Sequence, residues 1–201
     1  MAALYAANHP YGFVPYTNFQ NMKIKSILSN IVLYGRSTWQ IVKSRLQPKK
    51  GLNDILNYRY ISDRLATSGQ PTAEEFSLIY HAGYQTVLNL APPNASNALP
   101  NEPAIVSGLG MDYINIPVVW DSPTLADFTK FCDVMQAHRE RPIFVHCAMN
   151  MRVSAFVYLY RRLIMGVSEP EAYQLMTTIW HPNETWQQFI ENAIASYSSS
   201  P

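Results

Sequence analysis

The chain has 201 residues, 48% of them hydrophobic, with 15 Lys or Arg against 14 Asp or Glu and a formal net charge of +1. That length holds one domain of ordinary size plus an extension, with enough apolar residues for a real core. Two cysteines, Cys132 and Cys147, in no C-x-x-C spacing and no His/Cys cluster, exclude a disulfide scaffold and a structural zinc site and point to a reducing compartment.

The basic residues are unevenly spread. Residues 1–50 carry seven Lys or Arg and no acid, whereas from residue 51 onward eight basic residues stand against fourteen acidic ones. The main body is therefore mildly acidic and offers no nucleic-acid surface. The first 21 residues are rich in Tyr, Asn and Ala without a sustained period and read as poorly ordered. Residues 22–50 then set Ile24, Ile27, Leu28, Ile31 and Val32 at helical spacing among Lys23, Lys25, Arg36, Lys43, Arg45, Lys49 and Lys50. This pattern suits a basic amphipathic helix in peripheral contact with an anionic membrane, a targeting segment, or a solvated arm, and Met22 is a candidate start. No run approaches the roughly 18 apolar residues of a membrane span. The expectation is a cytoplasmic domain over residues 52–196, peripheral to a membrane if the arm binds one, with a disordered tail at 197–201.

From residue 52 short apolar runs alternate with capped helical periods. Residues 57–70 read as one or two strands ending in a turn. Thr72 and Glu75 have capping-box spacing ahead of a helix that Gly83 ends. QTVLNL (85–90) reads as a buried strand, and the polar stretch APPNASNALPNEP leads to a short helix ending near Gly110. DYINIPVV (112–119) is a strand. Thr124 and Asp127 then open a helix whose Leu125, Phe128, Phe131, Cys132 and Met135 share a face, which makes Cys132 a core residue. PIFVHC (142–147) is the most apolar strand, followed by an apolar helix beginning near Val153. Two more helices are expected, one from Ser168 with Glu171 completing a capping box, the other from Asn183. Strands separated by helices predict an α/β fold with a mainly parallel central sheet flanked by helices. Ligands of such sheets sit at the carboxyl ends of strands, where Cys147 falls.

Between Cys147 and that helix, the amides of Ala148, Met149, Asn150, Met151 and Arg152 have no obligatory partner. With the positive end of the helix they form a nest for an anion. The same surroundings favour the thiolate of Cys147, and Arg152 offers a planar fork matched to two oxygens of a phosphate or sulfate-like group. Either residue alone reads as a small buried hydrophobe or a solvated cation. Strand, His146, Cys147, loop, Arg152 and helix in succession read as an anion site. Asn150 either braces the loop through its amide or stands where the backbone turns left-handed.

HCAMNMR resembles the signature loop of the cysteine-dependent protein tyrosine and dual-specificity phosphatases. More narrowly, TSGQPTAEEF, GYQTVLNL, INIPVVWDSPT, FVHCAMNMRVSAF and HPNETWQQFI resemble the bacterial phosphatase-like domain related to beta-lactamase hydrolase-like proteins, over residues 55–193. The resemblance implies a phosphate monoester as substrate, of a class it does not fix, and no cofactor or metal. It implies that Cys147 attacks phosphorus to give a cysteinyl-phosphate and that Arg152 and the amides of Ala148, Met149, Asn150 and Met151 hold the oxygens. His146 would position the loop, Ser154 would stabilise the departing thiolate, and Asp121 would act as general acid and then base. Two departures stand out. Only four residues, none of them Gly, separate Cys147 from Arg152 where the phosphatases have five, and alignment on Pro123 puts Trp120, not Asp121, at the family's acid, with Asp112 and Asp127 as substitutes. The shorter loop resembles that of rhodanese-type sulfurtransferases, which implies a persulfide on Cys147 as an alternative; a non-catalytic anion-binding module is a third reading.

Overall fold

The computed structural model describes residues 51–198; the arm predicted over residues 1–50 lies outside the described residues. A single 3-10 turn at Leu52–Asp54 precedes a hairpin of β1 (Arg59–Ser62) and β2 (Leu65–Ser68). The order continues α1 (Ala73–His81), β3 (Thr86–Asn89), α2 (Glu102–Gly108), β4 (Asp112–Asn115), α3 (Leu125–Ala137), β5 (Ile143–His146), α4 (Met151–Leu163), α5 (Glu169–Thr177) and α6 (Glu184–Ser198).

The five strands lie in the order β1-β2-β5-β3-β4. Only β1 and β2 pair antiparallel; β2 with β5, β5 with β3 and β3 with β4 are parallel, as expected from the helices that intervene. β5 is thus central, and its last residue, His146, is flanked in register by Ser68 of β2 and Asn89 of β3.

The period of two along each strand divides the core into two layers. Leu65, Leu88, Ile143 and Val145 face Phe128 and Phe131 of α3, Phe156 of α4 and Trp186 of α6. Ala66, Val87 and Phe144 face Phe76 and Ile79 of α1 and Val106 of α2. Burying each large side chain contributes on the order of 2 kcal/mol, so both layers are needed to hold so short-stranded a sheet. No helix among the described residues is long and apolar enough to cross a membrane.

Helix starts follow the local chemistry at α1 and α3 and depart from it at α4 and α5. Thr72 Oγ1 accepts from Glu75 N–H (3.3 Å) and Glu75 Oε2 from Thr72 N–H (2.9 Å), and Thr124 caps α3 by accepting from Asp127 N–H at 3.1 Å. Ser168 stands at the N-cap of α5 but makes no side-chain cap. The capping box predicted there does not form, because Glu171 instead accepts from Arg161 at 2.7 Å across to α4. α4 begins at Met151, two residues before the predicted start, because Asn150 turns the chain into the helix and its carbonyl accepts from Ser154 N–H at 3.0 Å. On α3, Phe128, Phe131 and Met135 are buried, Cys132 is half-buried and Leu125 is exposed, so the apolar face is narrower than its sequence period. Burial pushes the Cys132 thiol up to about 11.

Candidate active site

The end of β5 sends successive side chains to opposite faces of the sheet. His146 turns to the α1–α2 side, where its ring lies 5.8 Å from that of Phe76 and its Nε2 3.1 Å from Glu102 Oε1. Both side chains are almost wholly enclosed. The His146 N–H does not point along that line, so the contact is electrostatic rather than an aligned hydrogen bond. Cys147 turns the other way, into the layer formed with α4, and has no exposed surface.

The loop after Cys147 is shaped by amide side chains. Ala148 C=O accepts from Gln70 N–H (3.1 Å) and from Asn97 Nδ2 (3.0 Å), and Met149 C=O accepts from Asn57 Nδ2 (3.0 Å). Asn150, buried at φ 65°, ψ 5°, donates from Nδ2 to Asn57 C=O (2.8 Å) and to Thr67 Oγ1 (3.0 Å). It therefore does both things anticipated for it, taking the left-handed turn and bracing the loop. Gly69 packs beneath: it bridges Met149, and a Cβ there would lie 2.9 Å from Leu56 Cδ2 and 3.1 Å from Ala148 C=O.

These donors draw the loop carbonyls outward. Among the described residues the amides of Ala148, Met149, Met151, Arg152 and Val153 donate to no backbone carbonyl outside the helices and strands, whereas the Gly69–Met149 bridge turns Asn150 N–H to Ser68 C=O. Arg152 Nε is likewise buried with no partner, and no acid among the described residues pairs with this guanidinium. An unpaired buried donor costs roughly 1–3 kcal/mol, and an arginine cannot shed its proton to relieve it. Amides and guanidinium on one short segment suit an oxyanion.

Three tryptophans form the adjoining wall. The Arg152 guanidinium lies over the Trp120 ring, 5.3 Å from its centroid, and Trp120 packs on Trp180 and Trp186, each 5.2 Å away between centroids. Trp186 Nε1 donates to Trp120 C=O (3.0 Å), and Trp180 Nε1 to Ser154 Oγ (3.0 Å), while Ser154 Oγ itself donates to Met151 C=O (2.9 Å). The hydroxyl predicted to serve the thiolate is thus committed to the loop backbone. Asp121 is exposed in the turn after Trp120 and makes no ion pair with Arg152. Asp112 pairs with Arg141 at 2.8 Å and Asp127 accepts from Thr124 Oγ1 at 2.7 Å, so both have structural work.

The residues that shape the loop from outside, Asn57, Thr67, Asn97 and Glu102, do not stand out in the sequence. Asn97 and Glu102 lie in or beside the polar stretch APPNASNALPNEP, whose single signal is a density of side-chain amides and carboxylates just past a strand end. Glu102 accepts from Gln70 Nε2 at Oε2 and from Asn89 Nδ2 at Oε1 (2.9 Å). Burial pushes its carboxyl up, but the nearby His146, with Gln70 and Tyr113, outweighs this and holds it below the usual carboxylate range.

The family described as "DSP-PTPase phosphatase fused to NAD+ Kinase" matches residues 37–193. A DUF442 protein of Shewanella putrefaciens CN-32 is 34% identical, with a TM-score of 0.67 covering 73% of this chain and 96% of that one. TpbA of P. aeruginosa, 19% identical with a TM-score of 0.57 over 72% and 92% of the two chains, shares the fold. A beta-lactamase hydrolase-like protein of Xylella fastidiosa is 33% identical over 112 residues, 53% of this chain and 25% of that protein, so the match spans about a quarter of its relative's length. The family match covers well over half of the chain, and the chain belongs to the bacterial tyrosine/dual-specificity phosphatase-like family.

Proposed function

We propose that this domain hydrolyses a phosphate monoester through a cysteinyl-phosphate on Cys147. The observation that carries the reading is the donor set: the amides of Ala148, Met149, Met151, Arg152 and Val153 and the buried, unpaired Nε of Arg152, all within one short loop beside the cysteine. Such donors, fixed before substrate arrives, stabilise charge that grows on equatorial oxygens without reorganisation. Cys147 Sγ attacks phosphorus, the P–O bond to the alcohol breaks, and Asp121 supplies the proton that leaves with the alcohol. Water, deprotonated by the same carboxylate, then attacks phosphorus and releases thiolate and inorganic phosphate.

The assay is release of phosphate from aryl phosphates. Cys147→Ser is expected to abolish turnover. Asp121→Asn is expected to lower kcat by about 10²- to 10⁴-fold, more for phenyl phosphate than for the better leaving group 4-nitrophenol. Equal losses on both substrates would remove Asp121 from the acid's role.

One feature favours a second reading. The loop has four residues between Cys147 and Arg152, and the Ser154 hydroxyl is turned to Met151 C=O. A smaller ring with no free hydroxyl suits a persulfide on Cys147, formed from thiosulfate with release of sulfite. Mass gain of one sulfur on Cys147, with no phosphate released from any aryl ester, would replace the first reading by this one.

A further inference from the structure

Glu102 lies outside the loop, on the first turn of α2, yet it contacts three segments that end beside it. Its Oε2 takes the Gln70 side chain, and the Gln70 backbone N–H holds Ala148 C=O at 3.1 Å. Its Oε1 takes Asn89, the residue in register with His146 on β3, at 2.9 Å, and faces His146 Nε2 at 3.1 Å. His146 immediately precedes Cys147. The turn after β2, the end of β3 and the end of β5 thus converge on one carboxylate that is 3% exposed.

A buried carboxylate is costly unless its lone pairs are engaged and its charge balanced. Here both oxygens are filled by side-chain amides, which can only donate at those atoms, and the single cation-forming group in contact is His146. An apolar residue of similar size would fill the space without orienting Gln70, Asn89 or His146. The arrangement makes sense if orientation of those side chains, rather than packing, is what matters.

We propose that Glu102 is a positioning residue of the anion loop, acting through Gln70 on Ala148 and through His146 on Cys147. It touches neither the anion nor the sulfur. The inference rests on the anion-cradle part of the proposed function and not on turnover, so it is tested by binding alone.

The experiment is calorimetric titration of tungstate, a non-hydrolysable tetrahedral oxyanion, into the full chain, with thermal melts run alongside. Glu102→Gln keeps the shape but places an NH2 where Gln70 or Asn89 now donates. Losing a hydrogen bond to a charged group predicts an affinity at least about tenfold weaker in protein that is still folded. A residue needed only for stability would lower the melting temperature and leave the affinity of the folded fraction unchanged; that result overturns the proposal. Should Glu102→Gln fail to fold, Gln70→Ala decides. Gln70 is only part-buried, and its loss cuts one limb while leaving His146 in place. Weaker tungstate binding by that variant supports the role of Glu102, and unchanged binding refutes it. Absence of tungstate binding by the wild type would sink the cradle reading and this one together, whereas wild-type binding without phosphatase turnover would leave this one standing.

Discussion

Asn150 separates two contributions that are usually entangled, because its backbone and its side chain do different jobs. At φ 65° the residue occupies the left-handed region, and its Nδ2 makes two buried hydrogen bonds of 2.8 and 3.0 Å. Alanine loses both: about 1–2 kcal/mol for forcing a Cβ into left-handed backbone and about 1 kcal/mol for each bond, roughly 3–4 kcal/mol in all. Glycine loses the two bonds but takes the turn freely, at a further cost of about 0.5 kcal/mol from its looser unfolded chain, for a total near 2.5 kcal/mol. The expected order of stability is Asn, then Gly, then Ala, with the last two about 1 kcal/mol apart by these same terms. Urea unfolding of the three proteins, compared at constant slope, measures it. Gly and Ala variants of equal stability would show that the left-handed turn is not enforced by the surrounding structure. A loss below about 1 kcal/mol in both would show that the bonds to Asn57 and Thr67 do not hold the loop.

Three other outcomes follow from the site. Glu102 is held below the ordinary carboxylate range, so the stability it contributes is fully present above its unfolded pKa and is lost as pH falls through the lower, folded one. The gap in melting temperature between wild type and Glu102→Gln should be widest above about pH 5 and close on acidification, and a gap that stays constant to about pH 3 would contradict the assigned shift. Trp120→Leu removes the face on which the Arg152 guanidinium rests; a loss of about 0.5–1 kcal/mol predicts tungstate affinity about two- to fivefold weaker, and no change would show that Arg152 is placed by other means. Gly69→Ala sets a methyl 2.9 Å from the mobile end of Leu56 but 3.1 Å from the carbonyl of Ala148. Leu56 can swing aside and the carbonyl cannot, so anion affinity should fall more than the roughly 1–3 kcal/mol overpacking cost alone lowers stability, and an unchanged affinity would place the loop free of Gly69.

The fold was legible where one short segment decides the outcome. The spacing of Thr72 and Glu75 is a capping box because both partners lie within one helical turn, and the alternation in Ile143, Phe144 and Val145 assigns faces because a strand has no other way to point them. At Ser168 the same local rule failed, since Arg161, distant in sequence, competes for Glu171. The loop itself is contiguous, so Cys147, the loop amides and Arg152 can be read together from six letters. Its supports cannot be. Asn57 and Asn97 act on backbone carbonyls, which every residue possesses, so nothing at Met149 or Ala148 announces which amide will arrive. Glu102 and His146 meet across 44 positions through strand order, which no local pattern encodes. The tryptophan wall is hidden for the same reason: Trp120, Trp180 and Trp186 read singly as core residues, and only the return of α6 to the turn after β4 makes them a support for Arg152.

That return has a consequence for biosynthesis. Trp186 holds the Trp120 carbonyl, and Trp120 carries the guanidinium of the loop, so the setting of Arg152 waits on a helix translated well after the loop itself. A nascent chain arrested before α6 emerges from the ribosome could already hold its sheet, yet it would lack the brace behind Arg152. The surroundings of Arg152 are therefore finished late, after the sheet that carries the loop.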